Sequence, residues 1–378
     1  MEEELFINEL EDDENEQSEL TFDSFKNTST LSLDLNIDTI GLYYNRGKFV
    51  FDPDFQRRLV WDDKRKSQFI ESLLLNIPIP SILLADDKNR NQYIIIDGKQ
   101  RLSTIIEFLS PENEGEGLVL KGLEILRELN GYNYKKLSSD DRFVSFLSTF
   151  QTYVIKTTII RNYSSKLLYF VFARLNSGSV PLSTQELRHS LFPGEFSNFV
   201  NVESTENDNL KRILKLKNGK NDPRMKDAEL LCRYYAFKYF KDQYKNTVGE
   251  LLDYTYENIN KNWENYKYKV EDDMKSFNDS INFIYKIFGK DEFKLYSTDN
   301  KEFGTFNRLV FDVLVVWFSN KDNIKKVEES TFDFKEVFIK MFNDQIFNDA
   351  FKPVTSSGIK TNNRFERFSK MFIEKYGD

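Results

Sequence analysis

"YIIIDGKQRLST", Tyr93–Thr104, is the stretch on which the reading of this chain turns. An apolar, β-branched run ends at Asp97-Gly98, and Leu102, Ile105, Ile106 and Leu109 follow at helical spacing. The pattern predicts a buried strand that hands over directly to a helix. The first turn of that helix carries Lys99 and Arg101. The exposed N–H groups at a helix start favour acids, by roughly 0.3–1 kcal/mol per charge, so two cations there break a local rule. Two accounts stand side by side. In one, Asp97 is the N-cap, Gln100 at the third helical position closes a capping box, and Gly98 serves a tight turn. That account leaves Lys99 and Arg101 unexplained. In the other, the free N–H groups, a Lys and a fork-shaped Arg form a phosphate cradle.

Upstream, "SILLADD" (Ser81–Asp87) and "QYIIID" (Gln92–Asp97) read as two buried strands joined by the polar turn "DDKNRN". Trp61, Phe69, Ile70, Leu73 and Leu74 make a helical stripe capped by Asp62 or Asp63 and ended by Pro78 and Pro80. Before it, between Leu31 and Gln56, Asp38 is expected to cap one helical turn that Gly47 stops. Downstream, "SPENEGEG" is a loop and "TFQTYVIKTTII", Thr149–Ile160, alternates like a strand. "SSKLLYFVFARLNSGS" is a helix with Gly178 as its stop, and "LSTQELRHSLF" starts another. From about Asn198 strand patterns fade, and "DPRMKDAELLCRYYAFKYF", Met274–Phe288 and Phe306–Ser319 read as helices. The expected fold is α+β over residues 21–195, followed by an all-α helical domain over 196–378.

The chain has 378 residues, ample for two domains and a sizeable core. No apolar run reaches the roughly 20 residues of a membrane span. "LVFDVLVVWF", Leu309–Phe318, is shorter and contains Asp312. No basic segment followed by an apolar one marks a signal peptide, so a cytoplasmic protein is expected. One cysteine, Cys232, excludes an intrachain disulfide and a multi-cysteine zinc site. One histidine, His189, excludes an HNH nuclease, an HD phosphohydrolase and an HExxH protease. No GxxxxGK[ST] loop, GxGxxG turn or Gly-x-Ser-x-Gly elbow occurs. The net charge of −8 argues against a protein that coats nucleic acid, without forbidding a local basic cleft. Nine of the first sixteen residues are Asp or Glu, so residues 1–20 read as a solvated, disordered arm, with an inhibitory, DNA-mimicking role as the alternative.

Two further stretches carry candidate chemistry. In "FARLNSGSVPLSTQELRHS", Phe172–Ser190, Arg174 suits a helix C-terminus, and Ser183 with Glu186 makes a capping box. The functional alternative has two helix ends meeting at one cleft, with Asn176, Ser179 and Gln185 as polar groups and Arg188 as a charge. In "DPDFQRRLVW", Asp52–Trp61, Arg57 and Arg58 either lie in a solvated turn over aromatic residues or present a guanidinium to phosphate. His189 and Cys232 read as packing residues.

Together these stretches resemble the GmrSD-type restriction endonuclease N-terminal domain family. "IIIDGKQRLST" is similar to that family's V-I-D-G-Q-Q-R-L-T-T signature, "DFQRRLVW" to its start and "IPIPSILL" to its Y-P-I-P-P-I-x-L segment. "FARLNSGSVPLSTQELR" resembles its F-x-R-L-N-x-G-S stretch, and "RMKDAELLCRYYAF", Arg224–Phe237, resembles the helix that follows. The resemblance spans roughly residues 35 to 240. It implies a ParB/sulfiredoxin-like core that binds, and in several members hydrolyses, a nucleoside triphosphate (ATP, GTP or CTP) with Mg²⁺. It also implies a role in prokaryotic anti-phage defence, with DNA and a partner defence protein or nuclease as partners, and homo-oligomers allowed. By position, Asp97, Gln100 and Arg101 inherit catalytic roles. Arg57, Gly98, Lys99, Asn176, Ser179, Gln185 and Arg188 inherit nucleotide binding. Lys99 departs from the motif, where an amide stands; a Lys binds phosphate but cannot accept a hydrogen bond or orient a water as an amide does. Larger relatives carry an HNH nuclease domain that a one-histidine chain lacks. The alternatives are a non-catalytic ParB-like DNA-binding or regulatory protein switched by nucleotide, and a scaffold that keeps the fold for protein contacts.

Overall fold

The apolar runs at 82–87 and 92–97 form an antiparallel hairpin, which is half of a four-stranded sheet. The computed structural model describes residues 26–49, 61–87, 90–110, 117–175, 183–216, 222–245, 247–351 and 358–377. They divide into two compact units, one within Leu20–Leu191 and one within Phe192–Asp378. In the first, β1 (Ser29–Asn36) runs into α1 (Ile37–Asn45), and α2 (Asp63–Leu74) leads to β2 (Ile82–Asp87), β3 (Gln92–Asp97) and α3 (Lys99–Leu109). The short α4 (Tyr134–Ser138) and α5 (Val144–Thr152) precede β4 (Val154–Arg161), and α6 (Ser165–Leu175) and α7 (Thr184–Leu191) end the unit.

The strand order is β1-β4-β2-β3. β4 pairs antiparallel with β1 and parallel with β2. Alternation sends the residues of β2, β3 and the second half of β4 to two covered faces. Leu35, Ile82, Leu84, Ile95, Ile155 and Ile159 pack with residues of α1, α2, α3 and α5. Ala85, Ile94, Ile96 and Ile160 pack with Leu168 of α6 and Leu187 of α7. Burial on both sides is why β3 reads as a continuous apolar run rather than an alternating one.

Several expectations are corrected. β1 was not anticipated; its Leu31, Leu33 and Leu35 alternate, but polar neighbours and largely exposed positions hide the signal. Asp38 does not cap α1: Asn36 does, its side chain accepting from the Thr39 N–H at 2.8 Å. Gly47 follows the helix with φ +63°, as a stop requires. Asp62 caps α2, accepting from the Arg65 N–H at 2.8 Å. That helix ends at Leu74, before either proline, where Asn76 turns left-handed at φ +56°. Thr149–Thr152 complete α5, so the strand begins only at Val154.

Glu71, on the buried side of α2, ties the unit together. Its carboxylate accepts from the backbone N–H groups of Glu124, Ile125 and Leu126 at 3.1, 2.8 and 2.7 Å. The 117–129 segment thereby gains acceptors for three amides that would otherwise be orphaned.

The second unit is helical apart from one hairpin: α8 (Glu195–Glu206), α9 (Asp208–Ile213), α10 (Lys226–Phe240), α11 (Val248–Lys261), α12 (Trp263–Phe288), β5 (Lys294–Ser297), β6 (Glu302–Phe306), α13 (Arg308–Phe318), α14 (Lys321–Glu329), α15 (Phe334–Met341), α16 (Gln345–Asp349) and α17 (Gly358–Tyr376). The β5–β6 hairpin corrects the all-helical expectation. At the unit's centre Arg233 of α10 donates to Asp312 of α13 through two bonds of 2.9 and 2.6 Å, both side chains being buried. Asp312 is the acid that interrupts the apolar run 309–318. No helix among the described residues is long and apolar enough to cross a membrane.

Glu71→Ala is expected to lower unfolding free energy by about 3–5 kcal/mol, because charge-assisted bonds are lost and buried N–H groups are stranded. Glu71→Gln keeps one carbonyl acceptor and is expected to cost about 1–2 kcal/mol. Urea denaturation of the two variants checks the order; equal, small losses would show that the carboxylate is not the tie.

Candidate functional site

The corner between β3 and α3 is built on Gly98, the residue before the first helical one, with φ +94° and ψ +14°. A Cβ at this position would sit 2.7 Å from Cγ1 of Ile82 on the neighbouring strand. Both the backbone angle and the space therefore exclude a side chain. The capping-box account of this corner is wrong. Gly98, not Asp97, occupies the cap position, and no side chain caps the helix. Asp97 remains the last residue of β3.

The missing cap leaves donors free. Leu102 is the first residue whose N–H closes onto the corner, donating to the Gly98 carbonyl at 2.9 Å. The N–H groups of Gln100 and Arg101 have no acceptor among the described residues. No acid lies in the first turn of α3. Free amides at the positive end of an eleven-residue helix are a ready anion acceptor.

The Arg101 side chain is largely committed. Its Nη2 donates to Asp97 Oδ2 at 2.8 Å, and its Nη1 donates to the carbonyls of Pro80 and Ser81. The guanidinium thus fastens the segment before β2 to the end of β3. One Nη2 hydrogen and the Nε hydrogen have no acceptor among the described residues. Asp97 is 45% exposed and Arg101 12%, so the carboxylate is the accessible member of the pair. Lys99 is buried at 4% exposure. Gln100 Oε1 accepts from the Trp61 N–H at 3.4 Å, which joins the DGKQR corner to the end of the DFQRRLVW stretch. Trp61 stands edge-on to Phe69 at 5.5 Å, with the Arg65 guanidinium 5.0 Å over its ring.

The remaining sequence candidates are distributed as follows. Arg57, Asn176 and Ser179 lie outside the described residues, as does Gly178. Gln185 and Arg188 are on α7, which packs on β3. Both are buried, and Arg188 Nη1 donates to Gln185 Oε1 at 2.7 Å. The structure therefore brings them together as an internal pair, packed inside rather than presented at the surface. Ser183 and Glu186 do form a reciprocal capping box: the Glu186 N–H donates to Ser183 Oγ at 3.1 Å, and the Ser183 N–H to the Glu186 carboxylate. Arg174 is exposed, its guanidinium 4.2 Å over the Phe170 ring. His189 and Cys232 are buried. Among the described residues no three His, Cys, Asp or Glu side chains group to hold a metal ion.

Sequence reasoning missed the Pro80 and Ser81 carbonyls, because a main-chain acceptor has no residue signature. It also missed Ile82, whose methylene forbids a Cβ at Gly98. Gly98→Ala is expected to destabilise the protein by about 1–3 kcal/mol through strain and crowding together. Chemical denaturation checks it, and an unchanged midpoint would show that the corner does not need glycine.

No curated protein and no solved structure matches the chain. Residues 39–193 match the family described as GmrSD restriction endonuclease, N-terminal domain. The matched range contains the sheet from β2 to β4, the Gly98 corner and the Gln185–Arg188 pair, whereas the Arg224–Phe237 stretch lies beyond it. Residues 39–193, less than half of the chain, are thus similar to the N-terminal domain of the GmrSD restriction endonuclease family.

Proposed function

We propose that the Gly98–Arg101 corner holds the phosphates of a nucleoside triphosphate, and that the chain is the nucleotide-binding, NTP-hydrolysing module of a restriction-like anti-phage defence system. One observation carries the reading: the N–H groups of Gln100 and Arg101 have no acceptor at a helix start that lacks both a cap and an acid. Phosphate oxygens are the acceptors such a corner suits best. The match of residues 39–193 to that family supports the restriction-related setting. The mixed sheet with helices on both faces is compatible with a ParB/sulfiredoxin-like core.

In this reading the roles are as follows. Main-chain N–H groups after Gly98 contact the β- and γ-phosphates. Arg101 shapes the corner through the Pro80 and Ser81 carbonyls and offers its uncommitted hydrogens to charge that develops during phosphoryl transfer. Asp97, exposed and close to Arg101, is the carboxylate available to a Mg²⁺ that arrives with the triphosphate. Gln185 and Arg188 bond to each other on α7, which packs on β3, and the family resemblance, not the geometry, is what assigns Arg57, Asn176 and Ser179 to the nucleotide. In this reading DNA cleavage is assigned to a partner protein. The second reading, a regulatory protein that binds nucleotide or DNA without turnover, is favoured by Lys99, which stands where the family motif has an amide.

Arg101→Ala is expected to weaken triphosphate binding at least tenfold, about 1.4 kcal/mol, while the far-ultraviolet circular dichroism stays unchanged. Unaltered affinity in calorimetry would remove the corner from consideration. Phosphate release from ATP, GTP and CTP, with and without DNA, separates the two readings: turnover above background supports the hydrolase, and DNA binding without turnover and with a steep salt slope supports the binder. If the amide orients water, Lys99→Gln should raise turnover more than it changes affinity.

A further inference from the structure

The two edges of the four-stranded sheet are treated differently. Along β3 the outer edge is partly occupied: the Tyr93 N–H donates to the Lys48 carbonyl at 2.6 Å, and Phe49 bridges to Tyr93. Along β1 nothing comparable exists among the described residues. β1 pairs with β4 over its full eight residues, and on its other side no strand or hydrogen-bonded segment lies among the described residues. Among the described residues its outward N–H and C=O groups have no partner and form an open row.

Edge strands are normally guarded by lysine, proline, a bulge or shortness. β1, "STLSLDLN", has none of these; its pairing with β4 runs without a register shift and its single charge is Asp34. Ser29, Thr30, Leu31, Ser32 and Asp34 are exposed and Leu33 is only partly buried. Leu31 leaves 37% of its surface in solvent.

We propose that β1 pairs with β1 of a second copy of this chain, antiparallel about a two-fold axis at Ser32, joining two sheets into one. The occupant follows from the strand's own pattern, which is nearly symmetric about that residue. In this register Ser32 faces Ser32 of the second copy, and Leu31 faces Leu33 twice, covering the apolar groups that are now exposed. Thr30 faces Asp34 twice, so a hydroxyl donor meets each carboxylate and no like charges meet. A shift that placed Asp34 against Asp34 would oppose two carboxylates and is disfavoured. A two-fold contact of this kind is self-limiting, because the β1 edge of each copy is used up in it. The proposal is independent of the nucleotide reading, since β1 takes no part in the Gly98 corner.

The test uses the full chain. Light scattering after size exclusion should show a dimer whose fraction rises with concentration. The double variant Thr30→Lys/Ser32→Lys, at two exposed positions, should move the population to monomer by at least tenfold in dissociation constant, with circular dichroism unchanged. Ser32→Cys should give a covalent dimer on mild oxidation or with a short bismaleimide, since the native Cys232 is buried. A monomer at every concentration overturns the proposal and leaves the edge to a strand from another protein or to residues preceding Lys26. A dimer that survives the lysine pair, or that Ser32→Cys does not cross-link, overturns it equally.

Discussion

The architecture of the N-terminal unit depends on one steric fact: β3 becomes α3 across a single left-handed residue with no room for a Cβ. A longer turn would have let a Ser, Asp or Asn cap the helix. With Gly98 at that position the cap is absent, and the first amides of α3 are left to find partners elsewhere. Arg101 then does for the corner what a longer loop would have done. By bonding back to Asp97 and to the carbonyls before β2, it fixes the angle between the helix and two strands at once. The cation that seemed to violate the dipole rule is thus partly neutralised by the preceding strand's last residue, and its local cost is reduced.

The sheet supports this corner because both of its faces are covered around β3. Ile95 looks toward α1, α2, α3 and α5, and Ile94 and Ile96 look toward α6 and α7, so β3 cannot slide by one residue without exposing one set to polar surroundings. That constraint fixes where Asp97 ends the strand and where Gly98 must fall. Glu71 extends the same logic to the loop side, where a carboxylate replaces secondary structure as the acceptor for three amides.

How much of this was legible in the sequence varies with the physical origin of each feature. The β2–β3–α3 succession was readable because burial on two faces leaves an uninterrupted apolar run, and a glycine marks the break. The Ser183–Glu186 box was readable because its bonds are local and its residue types specific. β1 was not, since an edge strand with little burial loses the alternation that identifies strands, and its neighbour is α1 with no loop between. Asp97 was misassigned because cap and strand end differ by one residue, and only the left-handed Gly98 separates them. The Arg101 clamp and the buried Gln185–Arg188 pair depend on distant backbone or on burial, neither of which residue spacing encodes.

The charge of the chain bears on the corner less than its total suggests. Of the 61 acidic residues, ten fall in Met1–Glu19, where there is no Lys or Arg, so the rest of the chain carries 53 basic against 51 acidic residues. The net acidity is therefore a property of one terminal stretch of sequence, and the remainder is close to neutral. Between exposed charges, fields are screened within about 8–10 Å at physiological salt. An anion approaching a nearly neutral surface responds to what lies within that distance, and at Gly98 the described residues include two amides without an acceptor, a helix N-terminus, a buried Lys, and an Arg bonded to one carboxylate and two carbonyls. Local geometry, more than overall sign, decides whether such a corner accepts phosphate.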